Sequence, residues 1–207
     1  MHILHIISSP RGSAAFSVQL GNALVDKLVA ANPGSTVQVY DLTNKSYPHM
    51  EEVYLQAINT PAEEHTSAQQ AAVRHSDEAI AALQAADVLV IGAPMYNFGI
   101  SSTLKAWLDH IVRARVTFRY SEHGPVGLVQ GKKVYLAASS GGIYSEGPMV
   151  GHDFVVPYLK TVLGTLGMTD VTAVRVEGTA IPGVQDTALE KALASIDLAA
   201  TSSLVEV

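Results

Sequence analysis

Apolar runs of strand length and leucines at helical spacing alternate along this chain from its first residues to its last. Ile3-Leu4-His5-Ile6-Ile7 is apolar but for His5 and reads as a buried strand. The polar turn Ser8-Ser9-Pro10-Arg11-Gly12-Ser13 follows, and then Leu20, Leu24 and Leu28 form one helical stripe that Asn32-Pro33-Gly34 stops. Thr36 to Asp41 reads as a second strand. Residues 42 to 66 are less regular, although Thr60-Pro61-Ala62-Glu63 has the spacing of a helix start: Thr as cap, Pro at the first position, Glu three after the cap. An Ala-rich helix is expected from about Ser67 to Ala86, then a strand at Val88–Ile91. A helix over Ser102 to Arg113 would turn Leu104, Trp107, Leu108 and Ile111 inward and leave Lys105 and Asp109 paired outside. Residues 114 to 131 look irregular, with a turn at His123-Gly124-Pro125. Strand four is Lys133 to Ala138, a helix near Asp153–Leu166 ends at Gly167, and strand five is Val171 to Val176. The last helix sets Leu189, Leu193 and Ile196 on one side.

Five strands alternating with five principal helices predict an α/β fold, a doubly wound five-stranded parallel sheet with helices on both faces. The expected strand order is the flavodoxin-like 2-1-3-4-5. The 207 residues suit one domain, 1–207, and 48% hydrophobic against 15% charged residues is a globular balance. A net charge of −6 argues against a nucleic-acid-binding face. The chain has no cysteine, which removes disulfides, thiolate nucleophiles and cysteine metal sites and fits a cytoplasmic protein. The first residues lack the basic and long apolar regions of a signal peptide, and no apolar run is long enough for a membrane span.

In the expected order, the loops after strands one, three and four share one sheet edge, where ligands of open α/β sheets bind. The first, Ser9 to Ser17, opens a helix whose free N–H groups suit an anion, with hydroxyls at Ser9, Ser13 and Ser17 and the cation of Arg11 nearby. It lacks Gly-Lys-Ser/Thr and Gly-x-Gly-x-x-Gly, so a monophosphate fits better than a pyrophosphate. The second loop carries Pro94-Met95-Tyr96-Asn97-Phe98, an apolar and aromatic surface suited to a flat ligand, which makes flavin the leading cofactor. Asn97 offers an amide to a flavin ring edge. The third, Ser139-Ser140-Gly141-Gly142 with Tyr144 close by, offers backbone N–H groups to negative charge on a reduced ring. The eight histidines form no metal set: His2 and His5 point to opposite strand faces, His110 reads as a surface or dimer residue, and His152 begins a helix near the third loop.

These residues resemble the FMN-dependent NADH azoreductases. The likeness rests on Ser9-Pro10-Arg11-Gly12…Ser17, Ala-Pro-Met-Tyr-Asn-Phe at 93–98, Leu104-Lys105-x-Trp107-Leu108-Asp109 and Thr117-Phe118-Arg119-Tyr120. It continues through Gly124-Pro125-x-Gly127-Leu128, Gly141-Gly142-x-Tyr144 and Leu163-Gly164-x-x-Gly167, nearly the whole chain. The resemblance implies a flavodoxin-like homodimer with non-covalent FMN. It also implies ping-pong hydride transfer from NADH, or sometimes NADPH, to quinones and azo compounds, with no catalytic side chain beyond the cofactor. Phosphate would lie on Ser9 and the turn Ala15-Phe16-Ser17, the ring system against Met95 to Phe98, and its N1/O2 side against Ser139 to Gly142. Phe98, with Phe118 and Tyr120 of the partner, would line the substrate pocket. The chain departs from that pattern at Ala15 (usually Ser), Ser101 (Pro), Ser140 (often Arg) and Thr165, where many members place Phe over the flavin. The alternative reading is a flavodoxin-type electron carrier without direct NADH turnover.

Overall fold

A computed structural model describes residues 1–45 and 47–198. The expected domain, 1–207, includes residues 46 and 199–207, which lie outside the described residues. Among the described residues seven strands and six α-helices follow one another as β1 His2–Ile7, α1 Phe16–Ala31, β2 Thr36–Asp41, α2 Glu52–Ala57, α3 Ser67–Ala85, β3 Val88–Pro94 and α4 Ser102–Ile111. After these come β4 Phe118–Ser121, β5 Gly124–Gly127, β6 Lys133–Ser139, α5 Val156–Leu166, β7 Asp170–Val176 and α6 Gln185–Ala194.

Five strands form a parallel sheet in the order β2-β1-β3-β6-β7, and β4 pairs with β5 as a separate antiparallel hairpin. The sheet differs from the expected order only in numbering, because the hairpin occupies places four and five in the chain. The two-residue period of the strands divides the core into two layers. Leu4, Ile6, Leu89, Ile91, Val134 and Leu136 pack with α3, α4 and α5 on one face. On the other face Ile3, Val88, Val90, Tyr135 and Val176 pack with Leu20, Leu24 and Leu28 of α1 and Ala188 and Ala192 of α6.

Several elements differ from the sequence reading for local reasons. Thr60 does not start a helix: Pro61 precedes only a 3₁₀ turn at Ala62–Glu64. The cap of α3 is Thr66, whose Oγ1 accepts from Gln69 N–H at 3.3 Å while Thr66 N–H donates to Gln69 Oε1 at 2.9 Å, a reciprocal capping box. β3 runs three residues further than expected because Gly92–Pro94 continue the ladder against Ala137–Ser139. α4 stops at Ile111, and the stretch read as irregular holds the hairpin instead. Ser101, where the resembling family has Pro, caps α4 by accepting from Leu104 N–H at 3.2 Å. α6 turns Ala188 and Ala192 inward; Leu189 and Leu193 are half-buried and Ile196 lies past its end. Lys105 and Asp109 pair on the outer side of α4 at 2.5 Å.

The hairpin seats on the end of α5 through a glycine contact. A Cβ on Gly127 would stand 2.1 Å from Gly167 N, so only glycine admits this approach. Gly167 itself ends α5 at φ 104°, and Val129 N–H donates to Leu166 O at 2.8 Å beside it.

Candidate functional site

The carboxyl ends of β1, β3 and β6 open into one cleft. Ser9, Arg11, Ala15 and Phe16 line it from the first loop, Pro94, Met95 and Tyr96 from the second, and Ser139, Ser140 and Gly141 from the third. The strand order dictates this convergence, since β1, β3 and β6 are adjacent. Three bonds lock the loops together. Ser8 Oγ donates to Gly92 O at 2.7 Å, the Ser9 and Tyr96 hydroxyls meet at 3.0 Å, and Met95 N–H donates to Ser139 O at 2.8 Å.

The first loop has the makings of an anion site. Phe16 and Ser17 begin α1, where backbone N–H groups lack intrahelical partners and the helix dipole is positive. Ser17 Oγ is buried with no hydrogen-bond partner, an arrangement that calls for one. The Arg11 side chain is exposed at the rim and enters no ion pair among the described residues. Serine hydroxyls, helix-start amides and one guanidinium are the donor set a phosphate monoester takes. Ala15 is buried and offers only backbone there.

The second loop is a strained two-residue turn. Tyr96 N–H donates to Gly99 O at 2.9 Å and Gly99 N–H to Tyr96 O at 3.0 Å, closing the turn around Asn97 (φ 49°) and Phe98 (φ 68°). Positive φ is common for Asn but disfavoured for Phe, by roughly 1–2 kcal/mol. The strain holds the Phe98 ring out at 44% exposure, 6.3 Å from Tyr144 and 5.9 Å from His152 between ring centroids. Asn97 is exposed at the same tip. His152 ends a 3₁₀ turn, Gly147–His152, rather than starting a helix.

The third loop is held from β7, whose contribution the sequence reading missed. Glu177 accepts from Tyr144 N–H at 2.8 Å and Ser145 N–H at 3.0 Å, and also takes the Ser145 hydroxyl. Arg175 pairs with Asp153 at 2.6 Å and reaches Glu177 at 3.5 Å. Asp153 also accepts from Val155 and Val156 N–H at 2.9 and 3.0 Å, tying the start of α5 to this network. Thr179 lines the cleft and donates its hydroxyl to Ser140 O at 3.0 Å. Arg175 and Glu177, two apart near the end of a strand, were the available signal. Gly142 lies outside the cleft lining, and a Cβ there would come within 3.1 Å of the Tyr144 ring.

Phe118, Tyr120 and Thr165 stand apart from this cleft, grouped around the hairpin. Phe118, expected to roof a partner's pocket in part, is 7% exposed and packs in its own chain's core. Tyr120, packed edge-on against it at 5.2 Å, is 75% exposed. Thr165 lies near the end of α5, its hydroxyl donating to Thr161 O at 2.9 Å. His110, expected at the surface, is buried at 1% exposure. Among the described residues no three His, Cys, Asp or Glu side chains group as metal ligands, and no helix is long and apolar enough to cross a membrane.

A parallel sheet whose adjacent central strands feed three loops into one cleft defines a protein of the flavodoxin-like class, and the family described as a flavodoxin-like fold matches residues 1–199. The FMN-dependent NADH:quinone oxidoreductase of Mesorhizobium japonicum is 46% identical over 98% of this chain and 97% of its own. The FMN-dependent NADH:quinone oxidoreductase 6 of Burkholderia lata is 50% identical over 94% and 97%. Among solved structures, an FMN-dependent NADH-azoreductase from Bacillus anthracis in complex with FMN superposes with a TM-score of 0.86 at 26% identity, over 97% of this chain and 98% of that one. The chain belongs to the flavodoxin-like family and, within it, to the family of the FMN-dependent NADH:quinone oxidoreductases.

Proposed function

We propose that this chain is a single FMN-binding domain that oxidises NADH and reduces quinones and aromatic azo compounds. The observation that carries the cofactor assignment is the buried, unpartnered Ser17 Oγ at the start of α1, next in the chain to Ala15 and Phe16, which line a cleft walled by Met95 and Tyr96. Relatives named for FMN-dependent NADH:quinone oxidoreduction, at 46% and 50% identity over almost their full length, support the reaction.

When bound, FMN supplies the two-electron hydride chemistry. The chain's residues bind and orient. Ser9, Ser17, the Phe16 and Ser17 amides at the Ala15–Ser17 turn and Arg11 would hold the phosphate, the Ala15 amide being taken by Gly12 O, and Pro94, Met95, Tyr96, Asn97 and Phe98 would form the wall for the ring system. Ser139, Ser140, Gly141 and Gly142, with Tyr144, would present the polar edge, where the Gly141 and Gly142 N–H dipoles would stabilise charge, those of Ser140 and Tyr144 being taken by Val176 O and Glu177. Phe98, exposed at the tip of the second loop, would help orient the nicotinamide and the acceptor.

The exposed Tyr120 has no role in the cleft of its own chain. We assign it to the pocket of a second copy in a homodimer, with Thr165 beside the hairpin, and the activity to the cytoplasm. No site for a 2′-phosphate is legible, so NADH and NADPH are both co-substrates to test. Fluorescence titration of the apo-protein with FMN tests the assignment. One site per chain, weakened by Ser17→Ala, is the expected outcome; failure to bind FMN overturns it.

A further inference from the structure

The carbonyls of the third loop are all occupied. Ser140 O accepts from Thr179 N–H at 3.3 Å and from the Thr179 hydroxyl at 3.0 Å. Gly141 O accepts from Ala180 N–H at 3.0 Å, and Gly142 O from Gly178 N–H at 3.0 Å and the Ser140 hydroxyl at 2.9 Å. The amides are divided. Ser140 N–H donates to Val176 O at 3.0 Å, and Tyr144 and Ser145 N–H donate to Glu177 at 2.8 and 3.0 Å. Between them, the N–H groups of Gly141, Gly142 and Ile143 have no hydrogen-bond partner among the described residues. Gly141 lines the cleft. Successive free amides in a turn suit negative charge, and this turn has no carbonyl left to satisfy them.

Two adjacent glycines do not hold such a turn by themselves, because glycine loses the most conformational freedom on ordering. The backbone bonds from Gly178 and Ala180 grip the loop as far as Gly142. Beyond it, among the described residues, the hydrogen bonds of residues 143–145 all run to one side chain, Glu177. Its carboxylate takes the Tyr144 and Ser145 amides and the Ser145 hydroxyl, and Arg175 of β7 reaches it at 3.5 Å. The Glu177 side chain is only 13% exposed, so water competes little for these bonds. The Tyr144 ring lies against Gly142, where a Cβ would come within 3.1 Å of it. Holding Tyr144 therefore also holds the Gly142 peptide.

We infer that Glu177 is a positioning residue: its grip on Tyr144 and Ser145 keeps the free amides of Gly141, Gly142 and Ile143 set for the charge of the reduced cofactor, and so favours reduced over oxidised FMN. The inference rests on the reading that the cleft holds FMN. A carboxylate acting through its charge would do the opposite, since like charges repel. Two variants separate these effects. Glu177→Asp keeps the charge and draws the carboxylate back; Glu177→Gln keeps the accepting oxygen and removes the charge. Affinity for oxidised FMN is read by fluorescence titration of the apo-protein, and the two-electron potential of bound FMN by anaerobic equilibration with a reference dye. In Glu177→Asp, affinity for reduced FMN should fall about tenfold more than affinity for oxidised FMN, which lowers the potential by about 30 mV. Glu177→Gln should keep the native ratio of the two affinities within about twofold. An unchanged ratio in Glu177→Asp, or a larger shift of either sign in Glu177→Gln, would overturn the proposal while leaving the cofactor reading intact. A native chain that binds no FMN would overturn both.

Discussion

The hydroxyls of Ser9 and Tyr96 meet at 3.0 Å, joining the loop after β1 to the loop after β3. Ser9 is buried and its Oγ also accepts from Arg11 N–H at 3.4 Å, so one serine fixes both the phosphate-side loop and the aromatic wall. Tyr96→Phe keeps the ring and removes the bond. The expected outcome is FMN affinity lower by about 1 kcal/mol, near fivefold, with little change in melting temperature. Fluorescence titration beside a thermal melt checks it.

Arg115 sits at φ 69° on the approach to the hairpin, and its side chain makes one bond, to Ile58 O at 3.2 Å. Arg115→Gly removes the left-handed strain, worth about 1 kcal/mol, against the weak loss of an exposed hydrogen bond. The variant should melt a few degrees higher.

Asp153 is buried, pairs with Arg175 at 2.6 Å and accepts two amides at the start of α5. Asp153→Ala leaves a largely buried guanidinium with only the longer contact to Glu177. A loss of about 3 kcal/mol in urea unfolding is expected.

His5 is buried beneath Gly21, and burial lowers its pKa to about 4, slightly countered by Asp26. The unfolded chain, with an ordinary histidine near 6.5, binds the extra proton first as pH falls. The neutral folded ring therefore contributes fully above about pH 6.5, and stability drops as pH falls from there towards 4, by up to roughly 3 kcal/mol from this group. Urea unfolding at pH 7 and pH 5 should show the drop in the native protein and a shallower one in His5→Leu.

Most of the fold was legible because its inner strands β1, β3 and β6 are buried on both faces and its helices carry apolar stripes, as Leu20, Leu24 and Leu28 do. The capping error at Thr60 arose from local spacing alone: its hydroxyl donates back to Gln56 O at 2.9 Å, while Thr66 and Gln69 form the capping box of α3. The hairpin was missed because its four-residue strands hold three glycine or proline positions, Gly124, Pro125 and Gly127, and its seat on Gly167 is a tertiary contact. The three loops of the cleft were legible from strand order and composition. The network of Asp153, Arg175 and Glu177 was not, because it joins two segments, the approach to α5 and the end of β7, that only the folded chain brings together. His110 was misplaced for a related reason. A histidine beside Asp109 on a helix looks solvated until Tyr54, Tyr47 and His75 are seen around it.

Tyr120, 75% exposed, tests the homodimer. Tyr120→Ala should leave the melting temperature within a degree or so, since an exposed ring contributes little to the fold. It should raise KM for aromatic acceptors several-fold if the ring lines the partner's pocket. Unchanged kinetics in a protein of dimeric mass would remove Tyr120 from that role.

The central claim is that a flavin held in this cleft passes electrons from reduced nicotinamide to an aromatic acceptor. Steady-state kinetics of FMN-loaded protein, with NADH and NADPH against menadione and methyl red, test it most directly. The account predicts NADH oxidation that depends on FMN and on the acceptor, with parallel double-reciprocal lines as the two substrates share one site in turn. Protein that holds FMN yet oxidises neither nicotinamide with any acceptor would contradict it and return the chain to the class of electron carriers.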